Sequence, residues 1–223
     1  MTSPFSTTTS SDASTSGMRL PLFLLACLAA GLFIGALTLL LQSLLPNSVV
    51  QIANSGAVWS VIAFIIGRRT STRSRAMLGG FLALAGEVTG YYTTAYFADL
   101  MDISVGTMAI VGFWMVLALV AGPVFGWAGF VSVHREGWVQ RIGTAAMAAL
   151  FIGEGLYLLT ILTTPNTTIL WMVIALVITL LLTWNRPDRL QIWGITLALG
   201  LFFFGAEQVL VLLDQLRSEL FQA

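Results

Sequence analysis

Lysine is absent from the 223-residue chain, cysteine and histidine occur once each, and only 9% of the residues are charged. Without lysine there is no Schiff base, no retinal linkage and no phosphate-loop lysine. The lone Cys27 excludes an intramolecular disulfide and a cysteine-built metal site, and leaves the redox compartment unread. An ordinary soluble domain carries about 25% charged residues, so this scarcity excludes a soluble globular protein. The basic and acidic residues, 10 of each, cancel. That removes the basic surface that nucleic-acid binding requires, and no nucleic-acid partner is expected.

Hydrophobic residues fill the chain instead, 57% of the total. They gather in runs of about twenty, the length that crosses a ~30 Å hydrocarbon core at 1.5 Å per residue. The expectation is an all-α, polytopic integral membrane helix bundle of about seven transmembrane helices, a multi-pass protein of the cell membrane with the lipid bilayer as its first partner. Polar or Pro/Gly-marked turns divide the runs into spans at 20–42, 49–67, 76–97, 105–127, 141–162, 168–184 and 190–212. Residues 1–17 are mostly Ser and Thr and cannot bury enough surface to order, so they read as a disordered cytoplasmic tail before a single transmembrane domain over 18–223. The run after Arg19 is too long for a cleaved signal, whose apolar region is about 7–15 residues. Ile103 to Val133 carries no charge and exceeds one span. Either the helix kinks at Gly122-Pro123, or Gly126 to Val133 lies along the interface. The sixth span is short and reads as tilted or re-entrant.

Arginines set the expected orientation, because basic residues in short loops stay on the cytoplasmic side. Arg68, Arg69, Arg73 and Arg75 follow span two, Arg135 and Arg141 follow span four, Arg186 and Arg189 follow span six, and Arg19 precedes span one. The intervening connections carry no basic residue, so the N-terminus is expected in the cytoplasm. Trp127, Trp138, Trp171, Trp184 and Trp193 then fall near the interfaces, where an amphipathic indole is favoured. Small residues one turn apart, at Gly31/Gly35, Gly86/Gly90, Gly122/Gly126 and Ala145/Ala149/Gly153, are the means by which helices approach in lipid. They are expected to serve internal packing, with oligomer contact as the alternative.

Glu87, Glu154 and Glu207 sit inside the spans, with no arginine or histidine at their depth. Glu87 follows Arg75 by twelve residues and Glu154 follows Arg141 by thirteen, which places both roughly 18–20 Å along their helices, near mid-bilayer. Glu207 follows Arg189 by eighteen and falls roughly 8 Å nearer the outer face. An ionised acid at the helix centre costs of order 3 kcal/mol on insertion scales, so each must face protein or water. The functional reading is a proton- or cation-binding site formed by Glu87, Glu154 and Glu207. The structural reading is a protonated glutamate donating to a neighbouring carbonyl. Tyr91, Tyr157, Trp59 and Trp114 lie close by in sequence or well inside their spans, and with Gln208 they could line the site for a small organic cation. Plain packing is the alternative for the aromatics, as back-bonding to the helix is for Thr89 and Thr94. No cofactor is expected, and the identity of any metal stays open.

Enzyme motifs fail: there is no His-Glu-x-x-His and no Gly-x-Ser-x-Gly. The sole His134 sits in a turn beside Arg135 and Glu136 and reads as a solvated loop residue, so no enzyme is expected. Gly86-Glu87-Val88-Thr89-Gly90-Tyr91-Tyr92 and Ala121-Gly122-Pro123-Val124-Phe125-Gly126-Trp127-Ala128-Gly129 resemble segments of small bacterial multi-spanning families of unknown function. The small Gly/Ala-rich chain also looks like the substrate-capture membrane subunits of vitamin importers. Those resemblances imply a helical membrane protein and carry no site over. Two functions follow: a transporter or solute-binding membrane subunit using the buried glutamates, or a structural accessory protein with a membrane-protein partner or a second copy of itself.

Overall fold

The computed structural model describes residues 19–45, 50–53, 55–162 and 165–222; the Ser/Thr-rich segment 1–17 lies outside them. The described residues form helices only: α1 (Leu20–Leu44), α2 (Val50–Ala53), α3 (Gly56–Arg69), α4 (Arg73–Phe97), α5 (Val105–His134), α6 (Gly137–Leu162), α7 (Pro165–Thr183) and α8 (Arg189–Gln222). Five of them, α1, α5, α6, α7 and α8, are long and apolar enough to cross a membrane. This is a helical membrane protein.

Two of the seven expected spans fall short of that standard, each for a physical reason. The 14 residues of α3 reach only about 21 Å at 1.5 Å per residue. The segment read as a single span over 49–67 is broken, with α2 ending at Ala53 and α3 starting at Gly56. Although α4 has 25 residues, it is rich in Gly, Thr and Tyr. It lies between α1, α3 and α5, where its sides meet protein and need not be apolar. Region four is α-helical from Val105 through Pro123 to His134. Gly126 and Gly129 press against α4 and α3, so its second half is bundle core and not an interfacial segment. The sixth span is a regular helix of 19 residues.

Packing proceeds in a row, with α1 on α4, α4 on α3 and α5, α5 on α6, and α7 and α8 both on α6 while barely meeting each other. Glycines fix the closest approaches. A Cβ on Gly31 would strike the Ala83 carbonyl and one on Gly35 the Glu87 carbonyl, while Gly86 and Gly90 return the contact against Leu28 and Leu32. Gly67 and Gly129 do the same between α3 and α5, against Gly126 and Phe64. Backbones at this distance gain dispersion contacts that lipid tails cannot supply. The small-residue pairs therefore serve internal packing.

The arginine-bearing connections gather at one end. Arg68 Nη1 donates to Ser132 Oγ at 2.9 Å, and Gln140 Nε2 donates to the Ser132 carbonyl at 3.4 Å. Arg186 Nη2 in turn donates to Gln140 Oε1 at 2.9 Å. Both oxygens of Asp188 are taken, by Arg186 Nε and Nη2 at 3.0 Å each and by Arg141 Nε at 2.9 Å. This chain of bonds ties α3, α5 and α6 to the α7–α8 turn. The Arg186 and Arg141 guanidiniums hold the Asp188 carboxyl well below the usual carboxylate range. His134 closes α5 with its ring stacked on Phe130 at 4.5 Å.

Valine at Gly31 is expected to cost about 3 kcal/mol or more, because the obstacle is backbone that cannot move aside. At Gly112, where nothing lies within 4 Å, the same change should stay within about 0.5 kcal/mol. Thermal unfolding of the two purified variants in detergent reads the difference; equal losses would contradict the packing described. A second expectation concerns Asp188→Asn, which should lower stability at neutral pH by about 1–2 kcal/mol. A carboxylate held below its unfolded value of 3.8 stabilises above that pH and loses its contribution as the pH falls beneath it. The gap between wild type and Asp188→Asn should therefore close only below about pH 4, as followed by unfolding across a pH series.

Candidate functional site

The break between α2 and α3 frees backbone groups inside the bundle, where no bulk water can satisfy them. Each side is closed by a side chain. Ser55, 1% exposed, caps α3 by accepting from Val58 N at 3.1 Å, as a serine before a first turn does. Ala57 N donates to Glu154 Oε2 at 2.7 Å, the short distance of a charge-assisted bond. On the other side, the Trp59 indole donates to the Ala53 carbonyl at 3.1 Å. A buried acid on α6 thus faces the positive end of a half-helix, which favours negative charge there. Ser55 also faces this carboxylate. So does the fully buried Trp171 indole of α7, though its N–H falls short of hydrogen-bond geometry.

Depth and neighbourhood part company among the three glutamates. Gly126 meets both Gly67 and Ala76, which marks one level across α3, α4 and α5. Ala57 and Glu87 lie ten and eleven residues beyond that level, about 15–17 Å, so Glu87, Ala57 and the bonded Glu154 share a depth. Laterally, Glu87 stands apart. It sits on α4 beside Gly31 and Gly35 of α1, 1% exposed, with Oε2 buried and unpartnered, and among the described residues no charged group acts on it. Glu207 joins Glu154 instead. Gly153 abuts Phe203 and Phe204, so Glu207 lies about one turn further along α8, within reach of the Glu154 charge. Its Oε2 is also buried without a partner.

The aromatic lining divides in the same way. Trp59, Tyr91 and Trp114 come together, with ring centroids 5.8 Å apart for Trp59–Tyr91 and 5.9 Å for Trp59–Trp114. These are ring-to-ring contact distances, with no room for a cation between the rings. Tyr91 commits its hydroxyl to Gln42 Oε1 of α1 at 2.8 Å. Tyr157 lies near Glu207, and Gln208 reaches Thr160 Oγ1 at 3.2 Å on the exposed surface. Thr89 and Thr94 bond back to the carbonyls of Ala85 and Gly90.

Sequence reasoning missed Ser55, Ala57 and Trp171. A signal for the first two was present, since Ser55-Gly56 is an N-cap followed by a residue that interrupts a helical run. Trp171 was expected at an interface and is 0% exposed; α7 and α6 bury it between them, as the fit of Gly155 against its ring shows.

A family model described as a family of unknown function, DUF6518, matches residues 14–216. The chain belongs to this family. No curated protein and no solved structure matches the DUF6518 chain.

Replacing Glu154 separates its two roles as an acceptor and as a charge. Glu154→Gln keeps a carbonyl oxygen for Ala57 N, whereas Glu154→Leu leaves that donor buried and unpaired at a cost of about 1–3 kcal/mol. The leucine variant is expected to unfold at lower temperature than the glutamine variant, with faster hydrogen exchange at the start of α3. Equal stability would show that the bond contributes nothing.

Proposed function

We propose that this DUF6518 protein is a transporter or solute-binding subunit of the cell membrane in which Glu154 and Glu207 together hold a proton or a cation. The observation that carries this reading is the pairing itself. The Glu154 carboxyl is held by Ala57 N at the start of α3, and the partnerless oxygen of Glu207 lies within its reach. Two carboxyl groups sharing a water-poor site favour a proton or cation between them. Broken helices whose half-helix ends face an ionic site are a recurring device of membrane transporters. Glu87, at the same depth on the far side of the α3–α4 contact, is a separate proton site in this reading. The likeness to the capture subunits of vitamin importers points to a solute as the cargo. Seven spans, with the arginine-bearing end in the cytoplasm, complete the proposal, and no catalysis is part of it.

A second reading has its own support. The Ala57–Glu154 bond alone explains why an acid is present, because it closes a helix break, and an accessory membrane protein bound to a partner or to its own copy needs nothing more. Purified protein should discriminate between the two readings through tryptophan fluorescence, because Trp171 faces the Glu154 carboxylate. Transport predicts a saturable response to pH or to one of a panel of inorganic and organic cations. That response should weaken at least tenfold in Glu207→Gln and disappear when Trp171→Phe removes the reporter. Proton uptake into liposomes containing the wild type should likewise fail with folded Glu207→Gln. Unchanged responses and uptake in the variant would overturn the proton or cation assignment and leave the accessory reading.

A further inference from the structure

At the basic end, the weak contact between α7 and α8 leaves a cavity of about 350 Å³, lined by Leu180, Thr183, Trp184, Arg189, Leu190 and Trp193. We propose that this cavity binds the head and upper acyl chain of one anionic phospholipid. The site lies outside the Glu154–Glu207 pair and does not depend on it.

Charge supplies the first argument. Arg189 is exposed and has no ion-pair partner among the described residues, unlike Arg141 and Arg186. The adjacent acid, Asp188, is already bonded by Arg141 and Arg186. Three arginines and one carboxylate leave an excess of two positive charges beside the cavity. Basic pockets between membrane helices recognise lipid phosphates in this way.

Shape and depth supply the second argument. Leu180, one turn below Thr183 on α7, gives the lower wall to an acyl chain, and Leu190 lies beside Arg189 at the mouth. Trp184, 74% exposed, and Trp193 are indoles of the kind that settle at headgroup level. The Trp193 wall is fixed, since its Nε1 donates to Thr183 Oγ1 at 3.2 Å. A cavity of this size falls at the lower end of small-molecule sites, about 300–1,000 Å³. That suits a headgroup and the start of one chain, with the remainder of the lipid lying in the bilayer.

Native mass spectrometry of the full chain, offered phosphatidylglycerol and phosphatidylcholine of identical acyl chains, tests the assignment. Wild type should retain one phosphatidylglycerol in preference to phosphatidylcholine. Arg189→Ala should lower that retention about tenfold, the effect of losing one charge-assisted phosphate contact of about 1.4 kcal/mol. Arg135→Ala, an exposed arginine at the same end but outside the cavity, should leave it unchanged. Leu180→Trp, which fills the cavity and keeps every arginine, should also abolish retention. Equal loss from Arg135→Ala and Arg189→Ala, or full retention in Leu180→Trp, would overturn the site in favour of general attraction between an arginine-rich surface and anionic lipid.

Discussion

A helix interrupted inside a packed bundle must find partners for the backbone groups it releases, and in this protein the partners are Ser55, Glu154 and Trp59. Much of the surrounding architecture follows from that requirement. Glu154 can reach Ala57 N only if α6 lies against the start of α3. Trp59 can reach the Ala53 carbonyl only if α2 stays close to α3. The indole that closes the break also anchors the aromatic group formed with Tyr91 and Trp114, so a polar need at one point organises apolar packing around it. An acid that looked costly at mid-bilayer meets the Ala57 amide and the helix dipole that the break exposes.

Close backbone contact does the corresponding work elsewhere. Helices in lipid gain nothing from excluding water, so α4 is held by glycines that bring it against α1 on one side and α5 on the other. At the basic end, polar bonds replace glycine contacts, running from Arg68 through Ser132 and Gln140 to Arg186, Asp188 and Arg141. The bundle is thus tied in its middle by shape and at one end by charge. Between α7 and α8 contact is sparse apart from the bond of Trp193 to Thr183, and that is where the cavity opens.

The comparison of Glu87 with Glu154 shows how far a sequence can be read. Both were placed near mid-bilayer by counting from Arg75 and Arg141, and contacts along α3, α4 and α5 put them at one level. Their grouping as one site was not legible, because Glu154 meets α3 and Glu207 while Glu87 sits at α1. Trp171 illustrates the same limit: its position near a helix end suggested an interface, yet its rotation about α7 carries it into the core. Ser55-Gly56 was legible in principle, but continuous hydrophobicity on either side masked a local cap.

Hydrophobic run length by itself established a membrane protein made of helices, and the arginine spacing showed which connections share an end. Residue counts also placed Glu87 and Glu154 at one level. Tertiary structure alone decided that α3 begins inside the bundle, that Ala57 and Ser55 receive Glu154, and that Glu207 and not Glu87 is its neighbour. The physical reason is geometric. Depth accumulates along a helix at a fixed rise per residue, whereas a side chain's neighbours depend on how each helix is rotated and on which helix packs beside it.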